Sequence, residues 1–111
     1  MKLFADAAQE PAVITPDGAQ RRVLSYSHNL MLVEFRFEAG IASREHSHPH
    51  EQVGYVVEGE IDFYMAGHEP VRLRRGGSYY VPPNVTHHIF THAPSILLDV
   101  FTPMRRDFVE K

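Results

Sequence analysis

Six of the eight histidines in this 111-residue chain fall in two short stretches, 46–50 and 87–92. Clustered imidazole is the donor set that a metal site requires. His46-Ser47-His48 is an H-x-H pair. On a strand, residues two apart point to the same face, so both rings can reach one ion. His87 follows about forty residues later, just after Pro82-Pro83. Taken alone it reads equally as a ligand or as a hydrogen-bonded core or surface histidine. Gln52 taken alone is an ordinary solvated amide. Asp99 is the one charge in the apolar stretch 95–101, SILLDVF, on the face it shares with Leu97 and Phe101. An inward carboxylate is costly without a partner, a cavity or solvent. Asp99 therefore reads either as a rim aspartate or as a proton-transfer group aimed at a metal cavity. Arg105 reads either as one of two solvated arginines or as a guanidinium folded back over that cavity.

The elements that must position these groups read as strands almost throughout. In 29–38, Met31, Val33, Phe35 and Phe37 alternate with Glu34, Arg36 and Glu38. Further strands are predicted at 53–57, 60–65, 70–74, 79–81, 85–91 and 95–101, with shorter ones at 12–15 and 21–26. Glu58-Gly59 reads as a hairpin turn between 53–57 and 60–65. No window of helical length carries an apolar stripe. The one helical candidate is a short C-terminal turn, with Thr102 as N-cap and Pro103 at its first position, running through Phe108. About eight short strands between turns predict an all-β sandwich or small barrel. Pattern alone leaves the strand order open.

The remaining histidines read as peripheral: His50 at the rim, His88 and His92 on the outer face, His28 and His68 in solvent. Arg72, Arg74 and Arg75 read as a solvated face, and Tyr55, Tyr64, Tyr79 and Tyr80 as core or rim aromatics.

Composition narrows the function classes. Eleven basic against fourteen acidic residues give a net charge of −3. The chain lacks the basic field that a phosphate backbone requires, so no nucleic-acid partner is expected. Zero cysteines exclude a disulfide framework, a thiolate nucleophile and a zinc ribbon. No apolar run approaches the ~20 residues of a membrane span, and Met-Lys-Leu-Phe-Ala-Asp makes a poor signal peptide. The expectation is a single domain over 1–111, with no membrane partner and a cytoplasmic location.

Two spaced patterns resemble a known family. Gly40, His46, His48, Gln52 and Gly59 form one; Gly76, Pro82 and His87 form the other. They resemble the two motifs of the cupin superfamily over roughly residues 35–101. The resemblance implies a double-stranded β-helix, or jelly-roll, barrel. Three positions depart from the usual motifs. Gln52 stands where glutamate is usual, Asn84 where glycine is, and Thr91 where asparagine is. Asn84 is tolerable because asparagine accepts the left-handed backbone. Gln52 replaces an anionic ligand by a neutral one, which leaves the ion's full charge to act on a substrate.

Locally, H-S-H-P-H-E-Q and D-V-F-T-P-M-R-R-D-F are similar to the KdgF-type pectin-degradation cupins. That resemblance implies one divalent ion (Zn, Ni, Fe, Co or Mn) on His46, His48, Gln52 and His87. It also places Asp99, Phe101 and Arg105 in the active site and implies a homodimer. The implied activity is linearisation of 4,5-unsaturated monouronates, from pectin or alginate, to keto forms. Asp99 would shuttle the proton, Phe101 would shape the wall, and Arg105 would grip the carboxylate of a small anionic sugar. Two rivals share the scaffold: a non-haem metal oxygenase, separable by oxygen consumption, and a non-catalytic sugar-binding or sensing cupin.

Overall fold

The computed structural model describes residues 1–110. Nine strands follow in order: β1 (Val13–Ile14), β2 (Gln20–Tyr26), β3 (Met31–Phe37), β4 (Glu51–Glu58), β5 (Glu60–Met65), β6 (Val71–Arg74), β7 (Ser78–Val81), β8 (His87–Thr91) and β9 (Ser95–Thr102). One helix, α1 (Arg106–Val109), closes the chain. The strands form two antiparallel sheets, a larger one ordered β1-β2-β3-β9-β4-β7 and a smaller one ordered β6-β5-β8. This is the all-β double-sheet architecture expected. Among the described residues no helix is long and apolar enough to cross a membrane.

Alternation sets the inner faces. In β9, Ser95, Leu97, Asp99 and Phe101 are buried while the residues between them are partly exposed. In β4 the buried set is Gln52, Gly54 and Val56. Apolar side chains from both sheets meet in one cluster of Val56, Ile61, Phe63, Tyr79, Val81, Ile89 and Leu97. A second cluster, Met31, Val33 and Phe101, is covered by Met104, Phe108 and Val109 from the C-terminal segment.

Three expectations are corrected. Glu58-Gly59 is not a hairpin turn, because β4 and β5 belong to different sheets. The chain crosses between layers there, with Gly59 at φ +101° and packed against Pro94 and Ser95 where a Cβ would collide. The helix starts later than expected: Thr102 ends β9, paired with Glu51, and so stays extended rather than capping a helix. The tyrosines do not share one environment. Tyr79 is buried, whereas Tyr80 and Tyr55 stand about half exposed on the outer face, because successive strand residues point to opposite sides.

Candidate metal centre and cavity

The segment before β4 runs antiparallel to β8. Ser43 N–H donates to Ile89 O (2.9 Å), and His46 and His87 exchange backbone bonds of 3.1 and 2.9 Å. His46 and His48 lie outside any regular strand, in this bridged segment, yet their rings converge with that of His87. Ring centroids lie 4.2 Å apart for His46 and His87, 5.0 Å for His48 and His87, and 5.9 Å for His46 and His48. One ring nitrogen from each falls within 4.8 Å of the others. The turn before β8 depends on Asn84, at φ 64° as expected, whose N–H donates to His48 O (2.7 Å). Thr91 ties down the approach segment, donating from Oγ1 to Glu38 O (2.6 Å) and accepting from Ile41 N–H (2.9 Å).

The hydrogen bonds fix the imidazole tautomers. Nδ1 of His46, His48 and His87 donates to the carbonyls of Arg44 (2.8 Å), His50 (3.1 Å) and Val85 (2.9 Å). A carbonyl only accepts, so each Nδ1 carries the hydrogen, and the neutral form of each ring is the tautomer with its lone pair on Nε2. His87 Nε2 is buried with no hydrogen-bond partner. Burial, reinforced by the Arg105 charge, lowers the His48 pKa and pushes His87 down to about 4, so both rings are neutral near pH 7.

Gln52 links this cluster to a carboxylate. Its Nε2 donates to Asp99 Oδ1 (2.9 Å), which turns Oε1 toward His48 Nε2, also at 2.9 Å. Two lone pairs then face each other beside the orphaned His87 nitrogen. Such a donor set fits a divalent cation, and the backbone carbonyls behind the rings are the outer support that metal-ligating histidines use. Glutamate at 52 could not donate to Asp99 and would set two buried anions together. The Gln52 departure thus has a local reason.

Asp99 is buried deep in the sheet, not at its rim, between Val33 of β3 and Gly54 of β4. Tyr79 Oη donates to its Oδ1 (2.8 Å). Burial and the Asp99 charge hold the Tyr79 phenol protonated, well above its usual range. Gly54 makes this contact possible, since a Cβ there would overlap the Tyr79 ring. Both hydrogen bonds fall on Oδ1; among the described residues Oδ2 accepts none. Burial raises the carboxyl to about 6 against the opposing pull of those two bonds.

His46, Gln52, Tyr79, His87 and Asp99 line a cavity of about 280 Å³ walled by Phe35, Phe37, Phe63, Leu97, Phe101 and Phe108. Phe101 meets His48 edge-on at 5.6 Å. Arg105 does fold back: it lines the cavity with its side chain 12% exposed, 5.1 Å over the Phe101 ring. The structure therefore brings together all seven expected site residues. Sequence reasoning gave Tyr79 no partner and did not single out Arg21, which also lines the cavity. Alternation in Ser78-Tyr79-Tyr80-Val81 was the available signal for Tyr79. His88 stacks on Tyr64 (4.4 Å) while also reaching the cavity lining, and His92 pairs with Asp62 (2.7 Å).

The sequence matches the Cupin domain family over residues 33–101. It is similar to the pectin degradation protein KdgF of Dickeya dadantii, 32% identical over 95 residues, which cover 84% of this chain and 86% of that protein. Among solved structures it resembles an RmlC-like cupin from Shewanella frigidimarina, with TM-score 0.90, 36% identity and coverage of 97% and 96% of the two chains. It also resembles KdgF from Halomonas sp., with TM-score 0.86, 29% identity and coverage of 96% and 99%. With two motifs on one donor set and a family match across most of its barrel, the chain belongs to the cupin superfamily and to its KdgF-type group.

Proposed function

We propose that the protein opens the ring of 4,5-unsaturated monouronates to linear keto forms, with His46, His48, Gln52 and His87 holding one divalent ion (Zn, Ni, Fe, Co or Mn). The observation that carries this reading is Gln52, which faces the His48 lone pair with its Oε1 and donates from Nε2 to Asp99, a carboxylate also held by Tyr79 and left with one oxygen free. A cavity of about 280 Å³ suits a single sugar unit rather than a polymer. The similarity to a protein of pectin degradation adds the substrate class, since pectin is a uronate polymer.

The substrate is a cyclic hemiacetal whose ring oxygen is also part of an enol ether beside a carboxylate. When bound, the ion supplies Lewis-acid polarisation of substrate oxygens. Asp99 Oδ2 takes the proton of the anomeric hydroxyl, the bond from C1 to the ring oxygen breaks, and C1 becomes an aldehyde. The released oxygen remains on C5, the double bond shifts into a C5 ketone, and a proton is delivered to C4. Nothing is gained or lost overall, and no oxidant is consumed. A carboxyl lifted toward 6 is a base matched to neutral pH. Tyr79 and Gln52 fix its orientation by holding Oδ1. Phe101 walls the site, and Arg105 sets positive charge toward the substrate carboxylate.

A homodimer belongs to the same proposal: Val53, Tyr55 and Tyr80 leave an apolar outer face on β4 and β7, and sedimentation at twice 12.7 kDa is expected. The direct test is loss of the conjugated chromophore of unsaturated galacturonate under nitrogen, against a protein-free control that corrects for spontaneous opening. Acceleration without oxygen supports ring opening over oxygenase chemistry. A rate equal to the control overturns it in favour of a binding protein.

A further inference from the structure

The cavity contains a guanidinium that none of the chemistry above uses. Arg21 is the second residue of β2 and pairs with Phe35 of β3, which pairs in turn with Leu97 of β9. Residues directly opposite in antiparallel strands share a face, and all three line the cavity. Arg22 alternates to the other side, where Gln20, the Glu10 carbonyl and Glu34 receive it. Arg21 has no such set of acceptors. Among the described residues its side chain makes no hydrogen bond or ion pair, and its Nε is buried without an acceptor.

Its surroundings offer it no acceptor among the described residues. Burial works against the Arg21 cation, the Asp107 charge supports it in part without a hydrogen bond or ion pair, and the like charge of Arg105 opposes it. Its guanidinium carbon lies 4.1 Å over the Phe108 ring, and that of Arg105 lies 4.2 Å from the same ring. Arg105 is already engaged: its Nε and Nη2 donate to the two carboxylate oxygens of Asp107 at 3.1 and 2.8 Å. One edge of the Arg105 fork is thus occupied, and the Asp107 charge is matched. The guanidinium left over at the cavity wall is Arg21.

We infer that Arg21 receives the substrate carboxylate in its planar fork, while Arg105, locked by Asp107, stands as a flanking positive charge. This inference rests on the proposed uronate substrate. An inward arginine with an orphaned Nε requires a planar, singly charged acceptor group, and a sugar acid small enough for this cavity carries one. The assignment divides the work expected of Arg105 between two side chains and makes Arg21 the binding residue that selects acids over neutral sugars.

The test compares D-galacturonate with its methyl ester as ligands of the metal-loaded protein, by calorimetry. The acid should bind about tenfold or more tightly than the ester, because a charged hydrogen-bonded pair is worth at least that factor. In Arg21→Gln the ratio should lose most of that factor, leaving only the part that the Arg105 charge supplies, with the affinity for the ester unchanged. Arg21→Lys, which keeps the charge but not the fork, should lie between. Arg75→Gln, on the solvated outer face, should keep the wild-type ratio. A preference for the acid that persists undiminished in Arg21→Gln, or that the wild type lacks, overturns the inference. Equal weakening of acid and ester in both Arg21 variants also overturns it, by making Arg21 a structural residue. Turnover of unsaturated galacturonate is followed in parallel. Its absence in the wild type would remove the proposed reaction without touching the acid-to-ester comparison.

Discussion

Replacing Asp99 by asparagine keeps the shape of the side chain and the acceptor oxygen that Gln52 and Tyr79 hold, but removes the charge. Burial raises the Asp99 carboxyl from 3.8 to about 6 in the folded, metal-free protein. A carboxyl raised on folding stabilises the protonated form. Relative to the unfolded chain, that stability is fully present below pH 3.8 and is lost as pH rises through about 6. The shift corresponds to about 3 kcal/mol. Asparagine mimics the protonated acid at every pH. Metal-free Asp99→Asn should therefore match the wild type near pH 3.5 and exceed it by about 3 kcal/mol above pH 6.5, or on the order of 10 °C in Tm. His87 has the opposite sense: depressed to about 4, it contributes stability that is complete above 6.5 and is lost as pH falls toward 4. That contribution is common to both proteins and cancels in their difference. Urea unfolding of chelator-treated protein at pH 4 and 7.5 measures the effect. A stability difference that does not change with pH would refute the desolvated carboxylate at the centre of the mechanism. The same variant, loaded with metal, should bind its ion and lose turnover; wild-type turnover would remove Asp99 as the base.

Three further outcomes follow from the same geometry. Because burial holds His87 near 4 and His48 below its usual value, protons compete weakly for the ligands. Equilibrium dialysis should show the ion retained from pH 7 to about 5.5 and released toward 4; release centred above pH 6 would contradict this. Gln52→Glu places a second carboxylate against Asp99 and removes the donor to Oδ1. Its turnover should fall about tenfold or more with the ion still bound, and undiminished turnover at full metal content would show that the donor is dispensable. Gly54→Ala drives a methyl group into the Tyr79 ring. It should cost about 1–3 kcal/mol in urea unfolding, and unchanged stability would mean that Tyr79 does not lie across β4.

The strands were legible because each buries one face, and period-two alternation survives in the sequence wherever that is so. Pairing was not legible, because it depends on which strand lies beside which. Asp99 shows the difference. Its face could be read from Leu97 and Phe101, but its depth comes from Val33 and Gly54 on the strands to either side. Glu58-Gly59 looked like a hairpin because two strand patterns flank it, yet local pattern carries no information about a change of sheet. Thr102 and Pro103 have the composition of a helix start, but pairing with Glu51 keeps Thr102 extended. The donor set of His46, His48, Gln52 and His87 came from the resemblance to the cupin motifs and not from these residues taken alone, whereas the tautomers and the Gln52 orientation arise from contacts with backbone carbonyls and Asp99. Arg21 escaped notice because the Arg21-Arg22 doublet must send one side chain to each face, and composition cannot say which turns inward.

The proposed chemistry depends on four side chains from two distant stretches of chain holding one cation. Metal content after loading and gel filtration tests this most directly, measured on the wild type, His87→Ala and Asp99→Asn. One divalent ion per chain is expected in the wild type and in Asp99→Asn, and none in His87→Ala. A full complement in His87→Ala, or none in the wild type, would contradict the site.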